Sequence, residues 1–95
     1  MRNRDILAAI ESVLIARKSA PADSSYVASL YAKGNHKILQ KLGEEAIETV
    51  LAASTGDKKA IVHETADLWF HTLVMLAHHD IAVQDILDEL HKRFG

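Results

Sequence analysis

The sequence predicts an all-α fold: a helical bundle of about four helices plus one short helical turn. Three observations carry this prediction. Apolar residues recur at i, i+3, i+4 and i+7 along almost all of the 95 residues, the spacing of one face of a helix. Glycine, proline and small polar residues gather at only a few places, so the chain has few punctuation points. No stretch alternates apolar and polar residues in the manner of a half-buried strand. At this length a single domain over residues 1–95 is expected, with a modest core that a partner subunit would enlarge.

The first helix follows from Ile6, Leu7, Ile10, Val13 and Leu14, with Asn3 as its expected N-cap. "KSAPADSS" (18–25) holds the only proline and reads as a loop, its Ser24-Ser25 pair most simply a helix cap. A short helical stretch, "SYVASLYAK", ends at Gly34. Asn35 is expected to cap a long helix reaching about residue 54, and "TGD" (55–57) supplies a glycine stop and an aspartate restart. A third long helix, about 58–79, is apolar nearly all round (Ile61, Val62, Leu68, Trp69, Phe70, Leu73), which predicts a place at the centre of a bundle. After a break near "HDIAV", Ile86, Leu87, Leu90 and Phe94 mark a last amphipathic helix.

On the second long helix, steps of about 100° per residue place Lys37, Lys41, Glu44, Glu45 and Glu48 in one sector. On the third, Glu64, Asp67, His71 and His78 share one narrow face of an otherwise hydrophobic helix. That strip most economically faces the acids of the preceding helix across a short turn. E-x-x-E and E-x-x-D each set two carboxylates one turn apart. Facing pairs would gather Glu45, Glu48, Glu64 and Asp67, and without neutralisation these would repel and suffer desolvation. A divalent cation resolves the conflict, and all-oxygen ligands select hard ions such as Mg²⁺ or Mn²⁺. Iron is the weaker reading, because a ferritin-like site needs Glu-x-x-His pairs that neither acidic helix has.

Lys33, Lys37 and Lys41 recur every four residues before the acids, a row of point charges suited to phosphate oxygens. The chemistry this implies is metal-assisted hydrolysis of a polyphosphate. Blander explanations stand beside it. The charged sector can be a salt-bridged surface stripe. His71 can be a core histidine or, in a functional role, a partner of Asp67. Arg93 can simply complement the C-terminal end of its helix.

Composition excludes other classes. A net charge of −2 from 11 basic and 13 acidic residues shows no basic excess, so nucleic acid is not an expected partner. No segment approaches the roughly 20 apolar residues of a membrane helix. Without cysteine there is no disulfide, thiolate zinc site or cysteine nucleophile. The N-terminal stretch lacks the pattern of a signal peptide, so a cytoplasmic chain is expected.

The segments "SYVASLYAKGNHKILQKLGEEAIETVLAA", "HETADLWFHTLVMLA" and "ELHKRF" together resemble the phosphoribosyl-ATP pyrophosphatase family over nearly the whole chain. The acidic motif alone would mark only the wider all-α nucleoside triphosphate pyrophosphatase superfamily. The flanking S-Y, A-K-G, Q-K-x-G-E-E and D-L-x-x-H sharpen the match. The resemblance implies hydrolysis of phosphoribosyl-ATP with Mg²⁺ in the cytoplasm, the second step of histidine biosynthesis, by a homodimer that completes the bundle. It further implies Glu45, Glu48, Glu64 and Asp67 as metal ligands. Glu44 would be a further ligand or the group orienting the attacking water, and Lys33, Lys37, Lys41 and, less strongly, Arg93 would be phosphate contacts. Val27 and Phe70 depart from an expected threonine and tyrosine. A house-cleaning pyrophosphatase for other nucleotides and a non-catalytic dimeric module with a structural metal remain the alternatives.

Overall fold

A computed structural model describes residues 2–95. It contains five α-helices and no strand among those residues: α1 (Ile6–Arg17), α2 (Tyr26–Lys33), α3 (Asn35–Thr55), α4 (Lys58–His78) and α5 (Val83–Phe94). Single 3-10 turns at Asn3–Asp5 and Ala22–Ser24 precede α1 and α2. The all-α expectation holds, and the helix count follows the periodicity.

The punctuation residues act largely as expected. The Ser25 hydroxyl accepts the Ala28 N–H at 3.1 Å and caps α2. Gly34 (φ 91°) separates α2 from α3, and Gly56 (φ 73°) ends α3, both in backbone regions that side chains resist. The Asp57 carboxylate accepts the Lys59 N–H at 3.2 Å and starts α4. Two expected caps differ. Asn3 lies inside the 3-10 turn, and α1 begins after Asp5 without a side-chain cap. Asn35 is the first residue of α3 rather than its cap, and its Oδ1 lies 3.1 Å from His79 Nε2.

The core lies at one end of the molecule. Leu14 of α1, Val27 and Leu30 of α2, Ile38 of α3 and Leu73, Val74 and Leu76 of α4 close around one another. These positions belong to the first turns of α3 and the last turns of α4. The rest of the α3–α4 hairpin extends beyond the core and leaves Ile47, Val50, Val62 and Trp69 exposed. The apolar third long helix is therefore central only over its C-terminal half in the single chain.

Two charged side chains fasten the remaining helix ends. Lys18 donates to the Ala77 carbonyl at 2.8 Å and to Asp80 at 2.5 Å, closing the end of α4 where Asp80 takes φ 57°. Glu11 of α1 accepts the Val83 N–H at 2.7 Å, so a carboxylate from another helix caps α5, which has no cap of its own. Glu11→Ala is expected to cost about 1–2 kcal/mol. Urea titration would measure this, with the exposed Ser12→Ala as control, and equal midpoints for the two variants would contradict the capping role.

Candidate active site

The acids sit where the α3–α4 hairpin leaves the core. Carboxylate oxygens of Glu45, Glu48 and Glu64 lie within 4.8 Å of one another. Glu45 is only 7% exposed, Glu64 is half-buried and Glu48 stands at the surface. One oxygen each of Glu45 and Glu64 (Oε2 in both) is buried without a hydrogen-bond partner. A buried oxygen left unpaired costs free energy, and two in one cluster mark a place that lacks a positive partner.

Burial raises the Glu45 carboxyl above the usual range, and the Glu48 and Asp67 charges push it further, with His71 opposing them. Burial likewise raises Glu64, followed by its contact with Glu48 and that group's charge. The donor set is all oxygen, with its two most buried members unpaired, and it fits a hard divalent cation. The acidic groups are able to hold a metal.

Asp67 stands beside this cluster rather than within it. Its carboxylate groups with Glu64 and with His63, whose Nε2 lies 3.5 Å from Asp67 Oδ2. The expected set of four is thus a trio and an adjoining trio that share Glu64. Asp67 has the shorter side chain and lies a turn further along α4, which leaves it alongside His63.

Glu44 is bonded within its own helix and is not one of the trio. It accepts from Gln40 at 3.0 Å and from Lys41 at 3.3 Å, and these contacts hold its carboxyl below the usual range. The same contact with Glu44, ahead of the influence of Tyr26, raises the Lys41 ammonium. Lys37 adds its charge to Glu44 from one turn earlier. Lys33 is not in that row, because it ends α2 and the Gly34 break separates it from Lys37. Arg93 donates to Glu89 at 3.0 Å on α5, and no contact joins it to the acids. Among the described residues, no hydrogen bond or ion pair joins Lys33 or Arg93 to the cluster.

His71, 6% exposed, bonds Asp67 through the main chain: its Nδ1 lies 2.9 Å from the Asp67 carbonyl. Its Nε2 is 3.1 Å from the Tyr26 hydroxyl.

Sequence reasoning passed over three residues here. Thr49 donates its single hydroxyl proton between the Glu45 carbonyl (2.8 Å) and the Glu64 carbonyl (3.0 Å), tying the two acid-bearing turns together. Its place directly after Glu48 was the only signal. His63 lies four residues before Asp67, a spacing visible in the sequence. Tyr26 meets His71 across 45 residues, which no local pattern reveals.

Two known proteins are similar to this chain over most of its length. A chain from Geotalea daltonii named phosphoribosyl-ATP pyrophosphatase is 55% identical over 93 residues, covering 98% of this chain and 88% of its own. One of the same name from Geobacter sulfurreducens is 55% identical over 91 residues, covering 96% and 84%. The profile of the family described as phosphoribosyl-ATP pyrophosphohydrolase matches residues 7–94, α1 through α5. The chain carrying this carboxylate cluster belongs to the phosphoribosyl-ATP pyrophosphohydrolase family.

Proposed function

We propose that the chain hydrolyses phosphoribosyl-ATP to phosphoribosyl-AMP and pyrophosphate, the second step of histidine biosynthesis. Glu45, Glu48 and Glu64, with Asp67 alongside, hold Mg²⁺, and Mn²⁺ is the alternative ion. The observation that carries this reading is the pair of buried, unpaired oxygens on Glu45 and Glu64. It is supported by membership of the family and by the names of the relatives. When bound, a hard dication neutralises polyphosphate charge and lowers the pKa of water. Lys37 and Lys41 receive phosphate oxygens. Glu44, which keeps spare lone pairs beside its bonds to Gln40 and Lys41, orients the attacking water.

The working unit is a homodimer. The radius of gyration is 14.4 Å, against about 12.4 Å for a compact chain of this length, because the hairpin projects beyond the core. Val50 (68% exposed) and Trp69 (61%) lie on its outer faces, an apolar surface suited to a second copy. An apolar groove of about 400 Å³ between α1, α4 and α5 also takes in Trp69 and adds to that surface. Trp69→Glu is expected to shift sedimentation at low micromolar concentration from dimer to monomer. A wild-type chain that sediments as a well-folded monomer would remove this part of the reading. No helix among the described residues is long and apolar enough to cross a membrane, and the cytoplasm is the compartment proposed.

The decisive assay is pyrophosphate release from phosphoribosyl-ATP with Mg²⁺ and with a chelator, beside ATP and dUTP. Metal-dependent release from phosphoribosyl-ATP alone is expected. Turnover of the plain nucleotides instead would favour a house-cleaning pyrophosphatase, which shares the acidic motif. Turnover of none would leave a structural metal site.

A further inference from the structure

The pair Tyr26 and His71 has no place in the chemistry above, yet it adjoins the cluster. The Asp67 carbonyl can only accept, so in the neutral imidazole the proton sits on Nδ1 and points at that carbonyl, 2.9 Å away. Nε2 is then an acceptor. The Tyr26 hydroxyl, 3.1 Å from it, must donate. Burial raises the Tyr26 hydroxyl above its ordinary range, so it keeps the proton that this bond needs.

The consequence concerns the oxygen rather than the proton. With its hydrogen committed to His71, Tyr26 Oη is left with lone pairs only. His71 ties this hydroxyl to the Asp67 turn of α4, so it stands at the edge of the metal region. The carboxylates there cannot donate to it when ionised. Half of Tyr26 (52%) is exposed, which keeps it open to a ligand. A phosphate oxygen would be repelled by such an acceptor, whereas a hydroxyl would be welcomed. Lys41, which can only donate, suits a phosphate oxygen, whereas Tyr26 Oη, which can only accept, suits an alcohol.

We propose that Tyr26, held by His71 as a one-way acceptor, receives a hydrogen bond from a hydroxyl of the ribose that carries the triphosphate. This ribose is attached directly to the phosphorus retained in the product, so its hydroxyls are the alcohol groups nearest the cleaved bond. Tyr26 is thus a specificity residue and His71 its positioning residue. The inference rests on the hydrolysis proposed above, and the wild-type assay tests that reading separately.

The test pairs Tyr26→Phe with three substrates: phosphoribosyl-ATP and its 2′-deoxy and 3′-deoxy forms at the adenosine ribose. Phe keeps the ring and removes the oxygen. For the parent substrate, kcat/KM is expected to fall about tenfold, chiefly through KM, on the scale of one hydrogen bond. One deoxy substrate should show the same loss with the wild type and no further loss with the Phe variant. His71→Leu should reproduce this pattern. His71→Gln, whose side-chain oxygen lies near the position of Nε2, should retain discrimination between the sugars.

A Phe variant within twofold of wild type on the parent substrate would overturn the inference. Equal losses on all three substrates would also overturn it, pointing to a bound water or to packing. Thermal melts of each variant identify any that fail to fold, and Tyr26→Phe with the deoxy substrates suffices without the His71 variants. If the wild type releases no pyrophosphate from any of the three, the hydrolysis itself fails, which is a different outcome.

Discussion

Glu45→Gln is expected to lower turnover by about two to three orders of magnitude while leaving the fold intact, the scale on which loss of one preorganised charged group is felt. The variant keeps the size and shape of the side chain and removes only the charge. It should also be at least as stable as the wild type in chelator, because the Glu45 carboxyl is raised first by burial and then by Glu48 and Asp67. The sign follows from linkage. A carboxyl whose folded pKa exceeds its unfolded value binds more protons when folded, so its contribution to stability falls as pH rises. The loss begins above the unfolded value of about 4.3 and is complete once pH passes the raised folded value.

In chelator, the difference in Tm between the Gln variant and the wild type should therefore grow between pH 4.5 and neutrality. Adding Mg²⁺ should raise the wild type more than the variant, since the ion replaces the missing positive partner. Melting curves at pH 5 and pH 7.5, each with and without Mg²⁺, would measure all of this. A Gln variant less stable than the wild type at neutral pH in chelator would mean that the Glu45 carboxylate is stabilised where it sits, and the site would need another explanation.

Leu30→Ala is expected to be the most damaging single truncation of the core. Leu30 is 1% exposed and lies in the cluster that joins α1, α2, α3 and α4. Such a substitution costs about 2–5 kcal/mol, from lost transfer energy and from the cavity left behind. A domain of this size has about 5–15 kcal/mol in total, so a large share is removed. Tm should fall by about 8 °C or more, at about 4–8 °C per kcal/mol for a domain under 100 residues. Variant and wild type must be compared at equal protomer concentration, because an oligomer gains stability by mass action. The folded fraction at low temperature should retain its kcat, since Leu30 belongs to the apolar cluster and supplies no group to the acidic site. A cost below about 1 kcal/mol would mean that this end of the molecule is not the stabilising core.

What was legible in the sequence was local. Helices could be read because each carries its own apolar stripe, and their ends because Gly34, Gly56, Ser25 and Asp57 act within a few residues of themselves. The two cap expectations that differ fail for separate reasons. Asn3 was displaced by an extra turn of 3-10 helix. Asn35 gave its oxygen to His79, a partner 44 residues away that no local rule supplies.

The carboxylate trio was visible because two short motifs on neighbouring helices have one economical way to meet. Where Asp67 would lean was not visible, since that depends on His63 and on the length of a single side chain. The row of three lysines looked continuous in one dimension, but a glycine with positive φ turned it into a pair and an outlier. Tyr26 and Thr49 act through bonds that cross between helices, so only the folded chain reveals them.

Thr49 has one more consequence. Its hydroxyl acts as a registration pin between two rods. Screwing α4 on by one residue moves Glu64 about 1.5 Å along the axis and swings it about 100° around its helix, away from Glu48. Repulsion among the acids pushes the rods apart across the hairpin, the direction in which the Thr49–Glu64 bond is stretched directly, so the pin opposes that separation. An ion leaving the cluster would thus leave a hairpin still fastened at Thr49, so the next ion meets the same three carboxylates in the same order.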